Sequence, residues 1–261
     1  MKVVTIERPH EWTHANLYGL ADLHIGDPNC RIDLIKKYLK DIENDPNAVV
    51  VLNGDFMNTA VRNSVSDVYG DIMTPQQQCE YVADVLDPIK DKIIGATTGN
   101  HEFRTHKDDG LDITRMALRE LGKIDLYDPN GLGIVFKFGS PNQKAHHNKS
   151  GYMAYSIYMT HGIGGGRKEG AKAIRMGEMA RICDADIYIH AHTHLPMAFK
   201  ENFGRIDLRT GKYAEQTKTF VNLTAWLQWG GYGQSHEYVP GAIANPLIRL
   251  DGSFKQTSVT I

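Results

Sequence analysis

The chain is poor in cysteine. Only Cys30, Cys79 and Cys183 occur in its 261 residues, too few and too dispersed for a disulfide framework. No Cys-x-x-Cys pair is present, which argues against a thiolate zinc site. It also lacks any run of about 18 apolar residues, so no membrane-spanning helix is expected. Met1 to Trp12 is charged and broken, without the apolar stretch of a secretory leader. With so little cysteine, a reducing, cytoplasmic setting is expected. The net charge is only −2, so the chain as a whole is not a basic nucleic-acid coat. Any attraction to phosphate has to be local.

Several catalytic patterns are missing too. Arg167-Lys168-Glu169 lacks the Gly-Lys-Ser/Thr ending of a Walker A loop. In His101-Glu102-Phe103-Arg104-Thr105-His106 the second histidine falls one position too late for a zincin helix. No Gly-x-Ser-x-Gly elbow supports a serine hydrolase.

What is present is an ordinary globular composition, 41% hydrophobic and 23% charged, which excludes extensive disorder. Without repeats, low-complexity tracts or a clear linker, one domain over residues 1–261 is expected. Strands are predicted over Asn16–Ala21, Ala48–Leu52, Lys92–Thr98, Ile134–Phe138, Tyr152–Thr160 and Ile187–Ile189. Helices are predicted from Asp27-Pro28-Asn29 through Ile42, from Thr74-Pro75 onward, over Leu111–Leu121 and over Lys168–Arg181. From Met197 onward strand signals dominate, and Asp251-Gly252 reads as a hairpin turn. Alternating strands and helices predict an α/β layered fold. The later strands add a second sheet, giving a sandwich with outer helices.

Polar clusters close successive strands: Asp22-x-His24, Gly54-Asp55, Gly99-Asn100-His101-Glu102, His161 and His192-x-His194. Ligand sites collect at such strand ends. Residues i and i+2 of extended chain point the same way, so Asp22 with His24, and His192 with His194, can approach one centre. Carboxylate, imidazole and amide donors without thiolate suit Mn²⁺, Fe or Zn²⁺. Two nearby cations need a shared anion, and Asp55, after a glycine, is the natural bridge.

These five blocks, in order from position 22 to 194, resemble the signature of the calcineurin-like metallophosphoesterases. The resemblance implies a four-layer αββα sandwich of two mixed β-sheets flanked by helices. It also implies two divalent metal ions, with Mn²⁺ favoured and Fe, Zn²⁺ or Ni²⁺ as alternatives. Asp22, His24, Asp55 and His194 would hold one metal, and Asp55, Asn100, His161 and His192 the other. A hydroxide bridging the metals would attack phosphorus. His101 would stay unbound and protonate, or hydrogen-bond to, the leaving oxygen. The chain departs from the pattern at Ala191, where glycine is usual. Gly54-Asp55-Phe56-Met57-Asn58-Thr59-Ala60 also departs from the Gly-Asp-x-Val-Asp-Arg-Gly of protein phosphatases. The expected activity is therefore phosphodiester hydrolysis in nucleic acid or nucleotide-type substrates, with a phosphomonoesterase or a non-catalytic phosphate- or nucleic-acid-binding module as alternatives. The oligomeric state is left open.

Arg62, Arg104 and Arg167 are candidate substrate clamps, since guanidinium pairs with phosphate through two donors. Arg167 follows the glycine-rich Gly162–Gly166 stretch, which reads either as an anion-binding turn before a helix or as a flexible loop. Residues 139–181 carry seven Lys/Arg against two Glu, a local basic bias. His10, His14, His106, His146, His147 and His236 read as surface histidines, and His190 as a neighbour of the ligands or a structural hydrogen-bonding group. The Trp226–Gly233 segment reads as core packing or as a platform on which a base stacks.

Overall fold

The computed structural model describes residues 1–62, 64, 68–139, 152–164, 166 and 168–261. In chain order its elements are β1 (Lys2–Arg8), β2 (His14–Leu20), α1 (Ile32–Asn44), β3 (Ala48–Asn53), α2 (Pro75–Leu86), β4 (Ile93–Thr97), α3 (Glu102–Asp109) and α4 (Ile113–Glu120). Then follow β5 (Leu132–Phe138), β6 (Met153–Met159), α5 (Glu169–Glu178), β7 (Ile187–His190), β8 (Met197–Asp207), β9 (Lys212–Asn222), α6 (Gly231–Ser235), β10 (Leu247–Asp251) and β11 (Thr257–Thr260). The strands form two mixed sheets, ordered β1-β5-β6-β7-β9-β8 and β11-β10-β2-β3-β4.

The alternation of side chains along a strand explains the layers. In β3, Val49 and Val51 face the other sheet, where Ile134, Phe136, Ile157 and Ile189 complete an apolar interior. Val50 and Leu52 face the opposite way, onto Ile35, Leu39 and Ile42 of α1 and Val82 and Leu86 of α2. A strand covered on both sides has to be apolar at every position, and Ala-Val-Val-Val-Leu is. The outer face of the six-stranded sheet puts Tyr158, Tyr188 and Phe220 against Met176 of α5. The result is the expected sandwich with helices on both outer faces.

Local signals set most element ends. Thr74 accepts from Gln77 N at 3.3 Å while Gln77 Oε1 accepts from Thr74 N at 2.9 Å, a capping box that starts α2. The helix expected from Asp27 begins instead at Ile32. Asp27 folds its own turn, with its Oδ1 accepting from Asn29 N at 2.7 Å, and Arg31 N donates to Trp226 O at 2.8 Å. These amides are spent on a turn and a neighbour before the helix can use them.

The strand β1 and the helices α3 and α6 were not read from the sequence. In β1 only Val4 is buried, too little for a clear alternation. The β8–β9 hairpin extends eleven residues per strand, and its distal half is largely exposed.

Candidate metal centre

β2, β3 and β4 run parallel, as do β6 and β7. Their carboxyl ends therefore deliver all five polar blocks to one end of the sandwich. Beyond β2 the chain keeps pairing with its neighbour: Asp22 N donates to Gly54 O and His24 N to Asp55 O, both at 3.0 Å. The two glycine loops touch backbone to backbone. A Cβ on Gly54 would overlap Gly99 N, and one on Gly99 would overlap Asp55 Oδ1. Only glycine allows that approach.

Asp22, His24, Asp55, His192 and His194 all have φ between 49° and 63°. The left-handed region costs a non-glycine residue about 1–3 kcal/mol. Five such residues in one cluster show that the fold holds these side chains in place against local preference, the usual mark of a functional site.

The side chains converge. His24 Nε2 and His194 Nε2 are 3.2 Å apart, and His194 Nε2 lies 3.2 Å from Asp22 Oδ1. On the other side His161 Nε2 is 3.2 Å from both Asp55 Oδ2 and Asn100 Oδ1. His192 Nδ1 is 2.7 Å from Asn100 Oδ1. Three groups of donor atoms lie within 4.8 Å of one another: Asp22, His24 and His194; His24, Asp55 and His101; and Asp55, His161 and His192. The second group shares His24 with the first and Asp55 with the third, so the approach of these two residues joins the halves.

These residues fit metal ions. Asp22 is fully buried, and its Oδ2 accepts from His192 N at 3.1 Å, yet Oδ1 has no hydrogen-bond partner, and neither has His24 Nδ1. The 3.2 Å approach of His194 to Asp22 Oδ1 is thus close without being a hydrogen bond. Two ligands each about 2.1 Å from one cation stand roughly 3.0–3.5 Å apart, the spacing seen here. The donor set is hard and borderline, nitrogen and oxygen without sulfur.

Burial and mutual charge shift the titrations. Burial disfavours the His161 cation, but the Asp55 carboxylate overrides it and lifts the group to about 10. Burial also opposes charge on Asp55, yet His161 and His101 outweigh it and hold its carboxyl well below the usual range. Burial and the neighbouring His161 push His192 down to about 4. Burial, then His101, keeps His24 well below its usual value.

His101 sits at the edge of the cluster. Its backbone N–H donates to Asp55 Oδ1 at 2.8 Å, and its Nε2 is 3.9 Å from Asp55 Oδ2. Arg104 follows one turn on, its guanidinium 3.1 Å from His101 Nε2. Arg62 is exposed, and among the described residues no bond ties it to the cluster. Arg167, His146, His147 and the loop beyond Gly139 lie outside the described residues. His10, His106 and His236 are exposed and His14 half-buried. His190 is buried, with Nδ1 on Asn222 Oδ1 at 2.8 Å. Trp226 packs in the core at 4% exposure, while Trp229 is 46% exposed and donates to Tyr238 O at 2.7 Å.

Two buried residues escaped the sequence reading. Glu102 receives the backbone N–H groups of Asp55, Met57 and Gly99 at 2.9–3.0 Å. Burial and then the Asp55 charge push it up to about 7. Asn53 accepts from Thr97 and from His161 Nδ1 and donates to Thr160 O, tying the sheets together behind the cluster. Glu102 stood inside a quoted block, and its apposition to the Gly54-Asp55 turn is a tertiary fact.

The calcineurin-like phosphoesterase family model matches residues 18–196, a stretch containing the whole cluster. The chain belongs to that family. A search of curated proteins finds no match. Among solved structures the chain is similar to a conserved uncharacterized protein of Streptococcus pneumoniae described as a predicted phosphoesterase. That pair shares 16% identity over 94% of this chain and 88% of that one, with a TM-score of 0.39. A single mutant of Vps29 from Entamoeba histolytica shares 15% identity over 94% and 89%, with a TM-score of 0.42. GAP50, the anchor in the inner membrane complex of Plasmodium, shares 11% over 91% and 81%, with a TM-score of 0.44. The family assignment rests on the family match alone. No helix among the described residues is long and apolar enough to cross a membrane.

Proposed function

We propose that this phosphoesterase is a dinuclear metal enzyme that hydrolyses phosphodiesters of nucleic acid or nucleotide type. The observation that carries the reading is two donor groups, Asp22-His24-His194 and Asp55-His161-His192, each with a 3.2 Å ligand-to-ligand spacing, and the approach of Asp55 to His24 that connects them. Asp22, His24, Asp55 and His194 would hold one divalent ion, and Asp55, Asn100, His161 and His192 the other. Such ions would act as Lewis acids on a phosphoryl group and raise the acidity of a water molecule. Mn²⁺ suits the mixed donor set, as do Fe, Zn²⁺ and Ni²⁺.

The protein's own part is orientation and proton placement. Asn53 O takes the His161 Nδ1 proton and turns Nε2 toward Asp55, so the ring presents a lone pair to the site. Glu102 holds the Asp55 turn. His101 presents Nε2 beside Arg104, where a phosphate oxygen or the leaving oxygen can meet an imidazole and a guanidinium together. The turn at Asn58-Thr59-Ala60 lacks the arginine of the protein-phosphatase pattern, which weighs against phosphoprotein substrates.

The test compares bis-p-nitrophenyl phosphate with p-nitrophenyl phosphate in Mn²⁺, for the native chain and Asp55→Asn. Diester turnover that vanishes in the variant supports the proposal. Turnover of the monoester alone shifts it to a phosphomonoesterase. No turnover with any of the four metals, together with no bound ion, leaves a binding module.

A further inference from the structure

Asn58 and Thr59 bond to His101, and two side chains from outside the cluster hold the Asn58–Ala60 turn. Asp71 Oδ1 accepts from Asn58 Nδ2 at 2.6 Å, and Asp71 Oδ2 accepts from Ala60 N at 3.1 Å. Gln78, fully buried on α2, accepts from Thr59 N at 2.9 Å through Oε1. Its Nε2 donates to Asp71 Oδ2 at 2.9 Å and to Met73 O at 2.8 Å. Thr59 N can only donate and Met73 O can only accept, so the amide has one possible orientation and all its capacity facing them is used.

The held segment is strained. Thr59 is β-branched and sits at φ +41°, a conformation that persists only where surroundings over-determine it. The loop after His24 presses on the same amide: a Cβ on Gly26, at φ +109°, would overlap Gln78. One buried amide thus braces the turn bonded to His101 and touches the loop that carries His24.

The output of this brace is a tautomer. His101 Nδ1 lies 2.8 Å from Asn58 O. A carbonyl cannot donate, so Nδ1 carries the proton and the neutral ring leaves Nε2 bare. Arg104 NH2, a donor only, at 3.1 Å from Nε2 requires the same arrangement. Thr59 Oγ1 donates to His101 O at 2.5 Å, fixing the main chain of the same residue.

We propose that Gln78, acting with Asp71 through the Asn58–Ala60 turn, is a positioning residue that fixes the tautomer and direction of the His101 ring. The kinetic consequence rests on the phosphoesterase reading above and the tautomer does not: with Nδ1–H held on Asn58 O, Nε2 is the one ring nitrogen free to take up a proton, and it must do so before it can serve a leaving oxygen. Gln78 touches no reacting atom; its hydrogen bonds run to the Thr59 turn, Asp71 and Met73, and of these the Thr59 turn leads to His101.

The experiment uses the full chain loaded with diamagnetic Zn²⁺ and carrying Gln78→Met, which keeps length and removes the amide. Long-range ¹H–¹⁵N correlation, with the His101 signals assigned through His101→Gln, reads the ring. The expected result is a single Nδ1–H tautomer in the native chain and a mixture in Gln78→Met. With phenyl and p-nitrophenyl diesters of one alcohol, kcat for the poorer phenoxide leaving group should fall about 10²-fold. The p-nitrophenyl ester should lose less, with KM unchanged. Asp71→Asn, which keeps one acceptor, should move both readouts the same way by a smaller amount and serves if Gln78→Met does not fold. An unchanged tautomer, or equal loss on both esters, overturns the proposal. Absence of turnover in the native chain removes the phosphoesterase reading, and the tautomer alone then decides.

Discussion

The carboxylate of Glu102 takes the backbone N–H of Asp55 at 3.0 Å, so one of the two residues that join the halves of the cluster is held through its main chain by a buried acid. The same carboxylate receives Met57 N and Gly99 N. Glu102→Gln replaces one acceptor oxygen with a donor and leaves buried N–H groups unpaired, each costing about 1–3 kcal/mol. A lower Tm and Mn²⁺ affinity reduced about 10–100-fold are expected. Calorimetric titration of the metal-free variant checks this, and native affinity would show that Glu102 does not support Asp55.

The pH dependence of metal-free stability has a definite sign. His161 is lifted to about 10 in the fold, above its unfolded value of about 6.5. Its pairing with Asp55 contributes stability that is fully present below pH ~6.5 and lost as pH rises through about 10. In EDTA, Tm should therefore fall between those limits, and His161→Gln should flatten the slope. With metal bound the ring has no proton to lose, so the loaded protein should not show this decline. An identical slope in His161→Gln would refute the assignment.

Asn53 predicts a stability effect with no direct chemistry. Its side chain accepts from Thr97 at 2.8 Å and donates to Thr160 O at 3.0 Å, linking the two sheets at the carboxyl ends of β3 and β6. Asn53→Ala should lower unfolding free energy by about 1–3 kcal/mol. Urea unfolding with an unchanged m-value would report that loss, and an unchanged midpoint would show that the sheets do not depend on this link.

Trp229 distinguishes the two readings of the aromatic segment. Trp226 is core, but the Trp229 ring is partly exposed and its indole N–H is already bonded to Tyr238 O. If the ring stacks a base, Trp229→Ala should raise KM for a dinucleotide far more than for bis-p-nitrophenyl phosphate, by roughly 1–3 kcal/mol per stacked base. Equal changes on both substrates would remove the stacking role.

Much of this molecule can be read along the chain because its chemistry sits at the ends of continuous apolar strands. Ala48–Leu52 announces a doubly covered strand, and Gly54-Asp55 marks where it stops. The same rule finds Asp22, Asn100, His161 and His192. What escapes it depends on partners distant in sequence. Gln78 looks like one of three consecutive polar residues on a helix, and only the packing of α2 on the Gly26 and Thr59 loops gives it a role. Glu102 and Asn53 are similar, since their significance is the set of backbone amides and carbonyls around them. The strand β1 is invisible for the opposite reason, having little burial to pattern it.

The two proposed cation sites draw on seven side chains and share Asp55. The decisive measurement is the metal stoichiometry of the purified chain, by native mass spectrometry after loading with Mn²⁺, beside Asp55→Asn and His101→Gln. Two ions per chain are expected in the native protein and in His101→Gln, with loss of tight binding at both sites in Asp55→Asn. A single ion, or two ions retained in Asp55→Asn, would contradict this assignment.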